Sequence, residues 1–295
     1  MGQQIVNGVF LGSMYALFAL GYTLVFGVLD ILNLAHAAIF MLASFVALVL
    51  VSTLHLHILL ALPAAMGAAG VAGLVLERLA FRPLRGRADS NISGLISSLA
   101  MATIFEAIAL EVWGPNVTRF PFETLPQGKP LPIPLLGASV SRLQLTTLVV
   151  ALLLFGALWW LVQRTRLGRD LRAVAESPRA ARVLGVHVDR TIASAFFISS
   201  ALGGAAGVLF GLAYNSVSPD LGRSVELKGL AVIILGGMGS MTGAVVAGFA
   251  LGLVEVFVVA HLGASYRDAV SFAALFLILV LRPRGLFGAP SLREA

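Results

Sequence analysis

The sequence predicts an all-α polytopic membrane protein, for three reasons. Of the 295 residues, 59% are hydrophobic and only 12% are charged, whereas soluble domains carry about 25% charged residues. The apolar residues form long, nearly pure runs, unlike the stripes of amphipathic surface helices. The net charge of +6 is concentrated in a few loops, which indicates membrane topology rather than binding of nucleic acid.

Nine apolar segments predict eight or nine transmembrane helices, some of them short or broken, because crossing needs about 20 residues. The seventh segment, at 225–238, is short and either spans or re-enters. The whole chain, 1–295, is expected to form a single transmembrane domain. The segments fall near residues 4–29, 33–54, 58–77, 91–113, 144–162, 191–214, 225–238, 241–262 and 266–281.

Basic residues predict the orientation. The loops after the third, fifth and last segments hold 14 of the 20 Lys and Arg residues and share one side if nine segments cross. That side is then the cytoplasm, with the N-terminus outside and the C-terminus cytoplasmic. A re-entrant seventh segment would place the basic tail outside, which its arginines disfavour. The 14 residues are Arg78, Arg82, Arg85, Arg87, Arg164, Arg166, Arg169, Arg172, Arg179, Arg182, Arg190, Arg282, Arg284 and Arg293.

The loop at 163–190, here called the arginine-rich loop, carries seven of these arginines and three acidic residues. Its sequence predicts two short helices, at 170–176 and 179–184, separated by a break at Pro178 and ended by Gly185. Joining two helices needs only about 2–8 residues, so we expect a docking element for a cytoplasmic partner. Alternatively, the arginines only fix topology and contact lipid headgroups. The candidate docking residues are Arg169, Arg172, Glu176, Pro178, Arg179, Arg182 and Gly185.

The loop at 114–143, the proline-rich loop, is the longest one predicted outside. Its prolines favour extended or turn-like structure with little helix. It is either a plain linker or a landing surface for an extracytoplasmic partner. The prolines are Pro115, Pro121, Pro126, Pro130, Pro132 and Pro134.

Polar residues inside apolar segments are costly in lipid, so each is a candidate for the path of a polar solute. Asn33 and His36 mark an abrupt polar junction between the first two segments. This junction is either a discontinuous helix that lines a cavity or an ordinary turn with an Asn cap. The fourth segment adds Ser97, Ser98 and Glu106. In contrast, Glu111 and Glu255 lie nearer the outer ends of their segments, where we expect them to be hydrated.

Glycines mark a further break. Gly236, Gly237 and Gly239 lie between two apolar segments without the lysine that a phosphate-binding loop requires. They fit a break between helices, and the pair Gly248 and Gly252 fits close helix packing.

Signatures of enzymes are scarce. We find no nucleophile–base pair for an intramembrane enzyme, and the common hydrolase, zinc-protease and nucleotide-binding motifs are missing from the sequence. With no cysteine, and with His55 and His57 lacking a third ligand nearby, we expect no metal site.

Five ordered blocks resemble the permeases of bacterial branched-chain amino-acid ABC importers, most closely the shorter of the two paralogous subunits. The resemblance covers essentially the whole chain. The blocks are 12–27 (GSMYALFALGYTLVFG) with 31–37 (ILNLAHA), then 77–86 (ERLAFRPLRG), 169–185 (RDLRAVAESPRAARVLG), 235–244 (LGGMGSMTGA) and 281–288 (LRPRGLFG).

The resemblance implies a multi-pass permease of the bacterial inner membrane that is not itself an enzyme. Its partners would be a paralogous permease subunit, two cytoplasmic ATPases that carry ATP and Mg, a periplasmic binding protein and the lipid bilayer, with no nucleic acid and no cofactor on this chain. The arginine-rich loop would then hold the coupling helices that dock on the ATPase. An ion-coupled secondary transporter of a small polar solute is the alternative, using Glu106 or His36 as a titrating group. Leucine, isoleucine and valine are the default substrates of the family, and other amino acids, urea or amides remain open, as does a homodimer.

Overall fold

The computed structural model describes residues 1–85, 90–121, 128–134, 137–282 and 285–288. Arg87, Pro126, Arg284 and Arg293 of the sequence analysis lie outside these residues. Eleven helices and one hairpin form in the described part of the chain. They are α1 (Gly2–Leu29), α2 (His36–Ser52), α3 (Ile58–Leu76), α4 (Ser90–Trp113), β1 (Leu131–Ile133), β2 (Ala138–Val140), α5 (Arg142–Arg164), α6 (Arg166–Glu176), α7 (Pro178–Val183), α8 (Val188–Tyr214), α9 (Leu221–Gly236), α10 (Met241–Leu262) and α11 (Arg267–Leu281).

Seven helices or helical runs are long and apolar enough to cross a membrane, in agreement with an all-α polytopic membrane protein. These are α1, α3 with the turns that follow it to Leu84, α4, α5, α8, α10 and α11 with the turn before it. The segments predicted at 33–54 and 225–238 form the shorter helices α2 and α9, of 17 and 16 residues. The nine predicted apolar segments therefore all become helices, and two of them are too short to cross alone.

The helices leave two distinct ends of the bundle. The loop end carries the N-terminus beside the hairpin, because the Gln3 amide donates to the main-chain oxygen of Ser139 at 3.0 Å. At the same end Thr118 pairs with Val217, after α8. At the opposite end, the arginine end, Arg85 pairs with Asp189 at 3.0 Å. Gly27 at the end of α1 faces Gly239 there, at 3.8–3.9 Å from an added Cβ.

Helices α1 and α8 form the centre of the molecule, and α1 packs most extensively against α10 among the described pairs. Glycines allow this approach, since a Cβ on Gly252 would lie 2.4 Å from the Gly12 Cα and one on Gly248 would lie 2.6 Å from the Ala16 Cα. The predicted close packing at Gly248 and Gly252 is therefore observed. Without a hydrophobic drive between helices in lipid, such close van der Waals contact is the main source of cohesion.

The α1–α2 junction (residues 30–35) turns back into the bundle. It starts at Asp30, whose φ of 56° is left-handed, and it ends where His36 packs on α1 and α8. His36 Nε2 lies 3.3 Å from the Phe18 oxygen, and a Cβ on Gly203, midway along α8, would meet the His36 ring at 2.6 Å. Helix α2 therefore begins part-way through the bundle, as the discontinuous-helix prediction required.

Candidate functional site

A cavity of about 580 Å³ opens among α9, α11 and the turn between α8 and α9. We call it the loop-end cavity. Its wall combines charged residues of α9 and α11 with aromatic rings. The lining includes Tyr15, Phe210, Tyr214, Ser218, Asp220, Arg223, Leu227, Lys228, Arg267, Asp268, Ser271 and Phe272. Such a mixture of apolar surface and a few polar groups is typical of small-molecule sites.

Behind this wall lies a buried ion network of Glu255, Lys228, Arg267 and Asp268. The Glu255 carboxylate is fully buried and accepts a hydrogen bond from Lys228 Nζ at 3.0 Å, while Arg267 Nε lies 2.8 Å from the same oxygen. Its other oxygen accepts the Tyr15 hydroxyl at 2.8 Å. Lys228 also pairs with Asp268 at 3.2 Å. The network thereby links α1, α9, α10 and α11 at one carboxylate.

The expected hydration of Glu255 is wrong, because 0% of its side chain is exposed. Its partners lie 12 to 27 residues away along the chain, so no local pattern indicated them. The signal that could have found them is the presence of Lys228 and Arg267 at helix positions within or beside apolar segments, where an unpaired cation is costly. Glu111 is exposed, in agreement with the prediction for that residue.

The five predicted pathway residues fall into two places. Asn33, His36 and Ser98 are buried, and Ser98 Oγ accepts the Leu34 N–H at 3.2 Å, so α4 contacts the α1–α2 junction. The Asn33 side-chain oxygen accepts the Ala35 N–H at 3.2 Å, which is the predicted capping contact in a buried setting. Glu106 instead lies near the loop-end cavity and pairs with Arg223 at 3.4 Å.

The arginine-rich loop forms two short helices, though with different bounds. Helix α6 begins at Arg166 rather than 170, because the Thr165 side chain accepts the Gly168 N–H and caps it. Pro178 starts α7, where a missing N–H costs nothing, and the Ser177 side chain caps that helix. Gly185 follows with φ 87°, as expected of a terminating glycine.

These two helices are anchored on one face and open on the other. Leu171, Val174 and Ala181 are buried against the bundle, and Arg172 donates to the Val162 oxygen at the end of α5. Val183 and Leu184 are 88% and 79% exposed. The exposed side also carries Arg179 and Arg182, so the described arginine end presents a small apolar surface bordered by positive charge.

The glycine run ends one helix and precedes another. Helix α9 ends at Gly236, Gly237 and Gly239 have φ of 97° and 85°, and α10 begins at Met241. The tail pairs with this break, because Leu286 and Phe287 donate to the oxygens of Leu235 and Gly236. The chain's end after α11 is thereby held at the arginine end.

These features define the class: a multi-pass α-helical membrane protein with a charged cavity at one end and a docking surface at the other. A family model described as "Branched-chain amino acid transport system / permease component" matches residues 4–279. The chain belongs to this family of permeases.

Two relatives match nearly the whole chain. The high-affinity branched-chain amino acid transport system permease protein BraD of Pseudomonas aeruginosa is 33% identical, with 99% of this chain and 97% of the relative covered. The corresponding permease protein LivH of Escherichia coli K12 is 34% identical, with the same coverage. Among solved structures, PsaBC from Streptococcus pneumoniae in complex with Fab matches with a TM-score of 0.52 and 12% identity. That match covers 94% of this chain and 91% of the other, and it supports the fold alone.

Proposed function

We propose that this chain is a transmembrane subunit of an ATP-driven importer of branched-chain or other small neutral amino acids in the bacterial inner membrane. The observation that carries the proposal is the similarity to BraD and LivH over 99% of the chain. In this proposal a second, paralogous permease completes the pathway, and a periplasmic binding protein delivers the substrate. Two cytoplasmic ATPase subunits with ATP and Mg drive it.

The orientation follows from charge. The arginine end would face the cytoplasm, because it carries Arg85, the arginine-rich loop and the basic tail. The loop end, with the N-terminus and the proline-rich loop, would face outward and receive the binding protein. Nine crossings would result, with α2 and α9 completing their passages through the buried junction and the turn before α9.

The ATPase would dock on α7. Its exposed Val183 and Leu184 offer apolar contact, and Arg179 and Arg182 can form charge-assisted hydrogen bonds with carboxylates on the partner. The opposite face is already anchored through Ala181, so a movement of the ATPase would be transmitted to the bundle rather than lost in a flexible loop.

The pathway would include the α1–α2 junction. Within the described residues, Asn33 Nδ2 and His36 Nδ1 are buried without a hydrogen-bond partner. A buried polar group left unpaired costs about 1–3 kcal/mol. This supports a second conformation in which Asn33, His36, Ser97 and Ser98 meet a polar solute.

The energy source tests the proposal. Amino-acid uptake by cells expressing this chain with its partners should persist under an uncoupler when ATP is supplied, and should stop when ATP is depleted. Uptake that instead follows the proton gradient with ATP depleted would favour an ion-coupled transporter and overturn the proposal.

A further inference from the structure

We propose that the loop-end cavity is a binding site for a zwitterionic amino acid, which holds both charged groups of the substrate as it enters the permease. Lys228 and Arg267 would bind the carboxylate, and Asp268 would bind the ammonium group. This inference rests on the proposed function and specifies where and how the substrate is recognised.

The charges of the cavity match a zwitterion. The buried ion network contains two cations and two carboxylates, so its formal charge is zero and it attracts neither a net anion nor a net cation. Its opposite charges are adjacent at the wall, with Lys228 Nζ 3.2 Å from Asp268 Oδ1. An α-amino acid likewise carries opposite charges on adjacent groups and no net charge.

The cations have donors left for a ligand. An ammonium group has three donors, and within the described structure two of those on Lys228 are directed at Glu255 and Asp268. The guanidinium of Arg267 has five donors and contacts Glu255 and the Tyr214 hydroxyl. Because Glu255 is fully buried, it holds both cations at the wall without competing for space in the cavity.

The rest of the wall suits an aliphatic side chain. Phe210, Leu227 and Phe272 line the same cavity as the charged residues, and Phe210 packs on Tyr214 at 4.5 Å between ring centroids. The volume of about 580 Å³ lies within the range of small-molecule sites. Since each cation is already paired with a carboxylate, binding would be weak, as a site of passage requires.

The test uses a diazirine analogue of leucine in membrane vesicles that contain the complete importer, its binding protein and ATP. Illumination should attach the analogue to peptides covering residues 210–228 and 267–272. Asp268→Asn and Lys228→Gln should each reduce this labelling about tenfold, the effect of losing one charge-assisted hydrogen bond. Lys228→Arg keeps the positive charge and should retain most of it. Glu111→Gln, which removes an exposed carboxylate elsewhere on α4, is the matched control and should label as the unaltered chain does.

The outcomes separate the two proposals. Normal uptake with labelling confined to other parts of the importer would overturn the cavity site and leave the proposed function standing. Unchanged labelling in folded Asp268→Asn and Lys228→Gln variants, checked by thermal midpoint, would also overturn the site. If the unaltered importer shows no ATP-dependent uptake of amino acids, the proposed function fails and this inference fails with it.

Discussion

At the scale of single residues, the most unusual feature is a buried carboxylate shared by several partners. Glu255 contacts Lys228, Arg267 and Tyr15, which come from three different helices. Removing a charge from water is expensive, and such a carboxylate is tolerated only when its partners satisfy it. The partners in turn depend on it, because each lies in or beside an apolar helix.

Glu255→Gln should therefore destabilise the protein strongly. Loss of the charge leaves two neighbouring cations poorly compensated, at a cost of about 3 kcal/mol. The thermal midpoint of the purified protein should fall by several degrees, whereas Glu111→Gln at the exposed position should leave it unchanged. Equal midpoints for the two variants would show that the network contributes nothing to stability.

Asn33→Leu should lower uptake while assembly with the partner subunits stays normal. Leucine keeps the apolar bulk of the junction but removes the oxygen that binds the Ala35 N–H at 3.2 Å. Asn33→Ser restores a short acceptor and is the matched comparison. Full uptake by Asn33→Leu in a transport assay would exclude a role for this residue in the pathway.

At the scale of elements, glycine spacing decides how closely α1 and α10 approach. A Cβ on Gly252 would lie 2.4 Å from main-chain atoms of Gly12, too close for any side chain without movement of a helix. Gly156 in α5 has nothing within 4 Å of the same position. The two glycines look alike in the sequence and differ only in their neighbours.

Gly252→Ala and Gly156→Ala should consequently have opposite effects. Alanine is the better helix former by about 1 kcal/mol, so Gly156→Ala should leave the thermal midpoint equal or raise it. Gly252→Ala should lower it, because α1 and α10 must separate. A stabilising effect at both positions would mean that the helix contact adapts easily.

The arginine-rich loop yields a second prediction at this scale. Glu176 and Ala180 are exposed beside the break between α6 and α7, so Glu176→Arg with Ala180→Trp changes the surface without disturbing the buried face. We expect ATP hydrolysis to continue without uptake, or the ATPase to be lost on purification, with normal membrane insertion. Co-purification together with normal transport would refute the docking surface on α7.

At the scale of the whole molecule, the two ends of the bundle differ in charge and in structure. The arginine end carries short helices with exposed apolar residues, while the loop end carries the β1–β2 hairpin and the charged cavity. This asymmetry is what a vectorial transporter needs, because the substrate and the energy source arrive from opposite sides.

Cysteine accessibility tests the orientation. The chain has no cysteine, so each introduced residue is the only thiol. Lys129→Cys on the proline-rich loop should react with a membrane-impermeant maleimide added outside, and Ala180→Cys on α7 should react only after the membrane is opened. Reaction of both residues from outside would refute the assigned orientation.

The sequence by itself determined the class, the helices and the family. Apolar runs must become helices in lipid, since backbone groups there have no other partner, and the predicted segments at 33–54 and 225–238 both appear as helices. It also located the break at Gly236 and the two short helices near Pro178, because proline and glycine act on the local backbone. Only the tertiary structure decided that Glu255 is buried, that Gly252 but not Gly156 is a helix contact, and that Lys228 and Asp268 meet at one cavity. Those facts depend on residues far apart in the chain, and periodicity within a segment carries no information about which other segment packs against it.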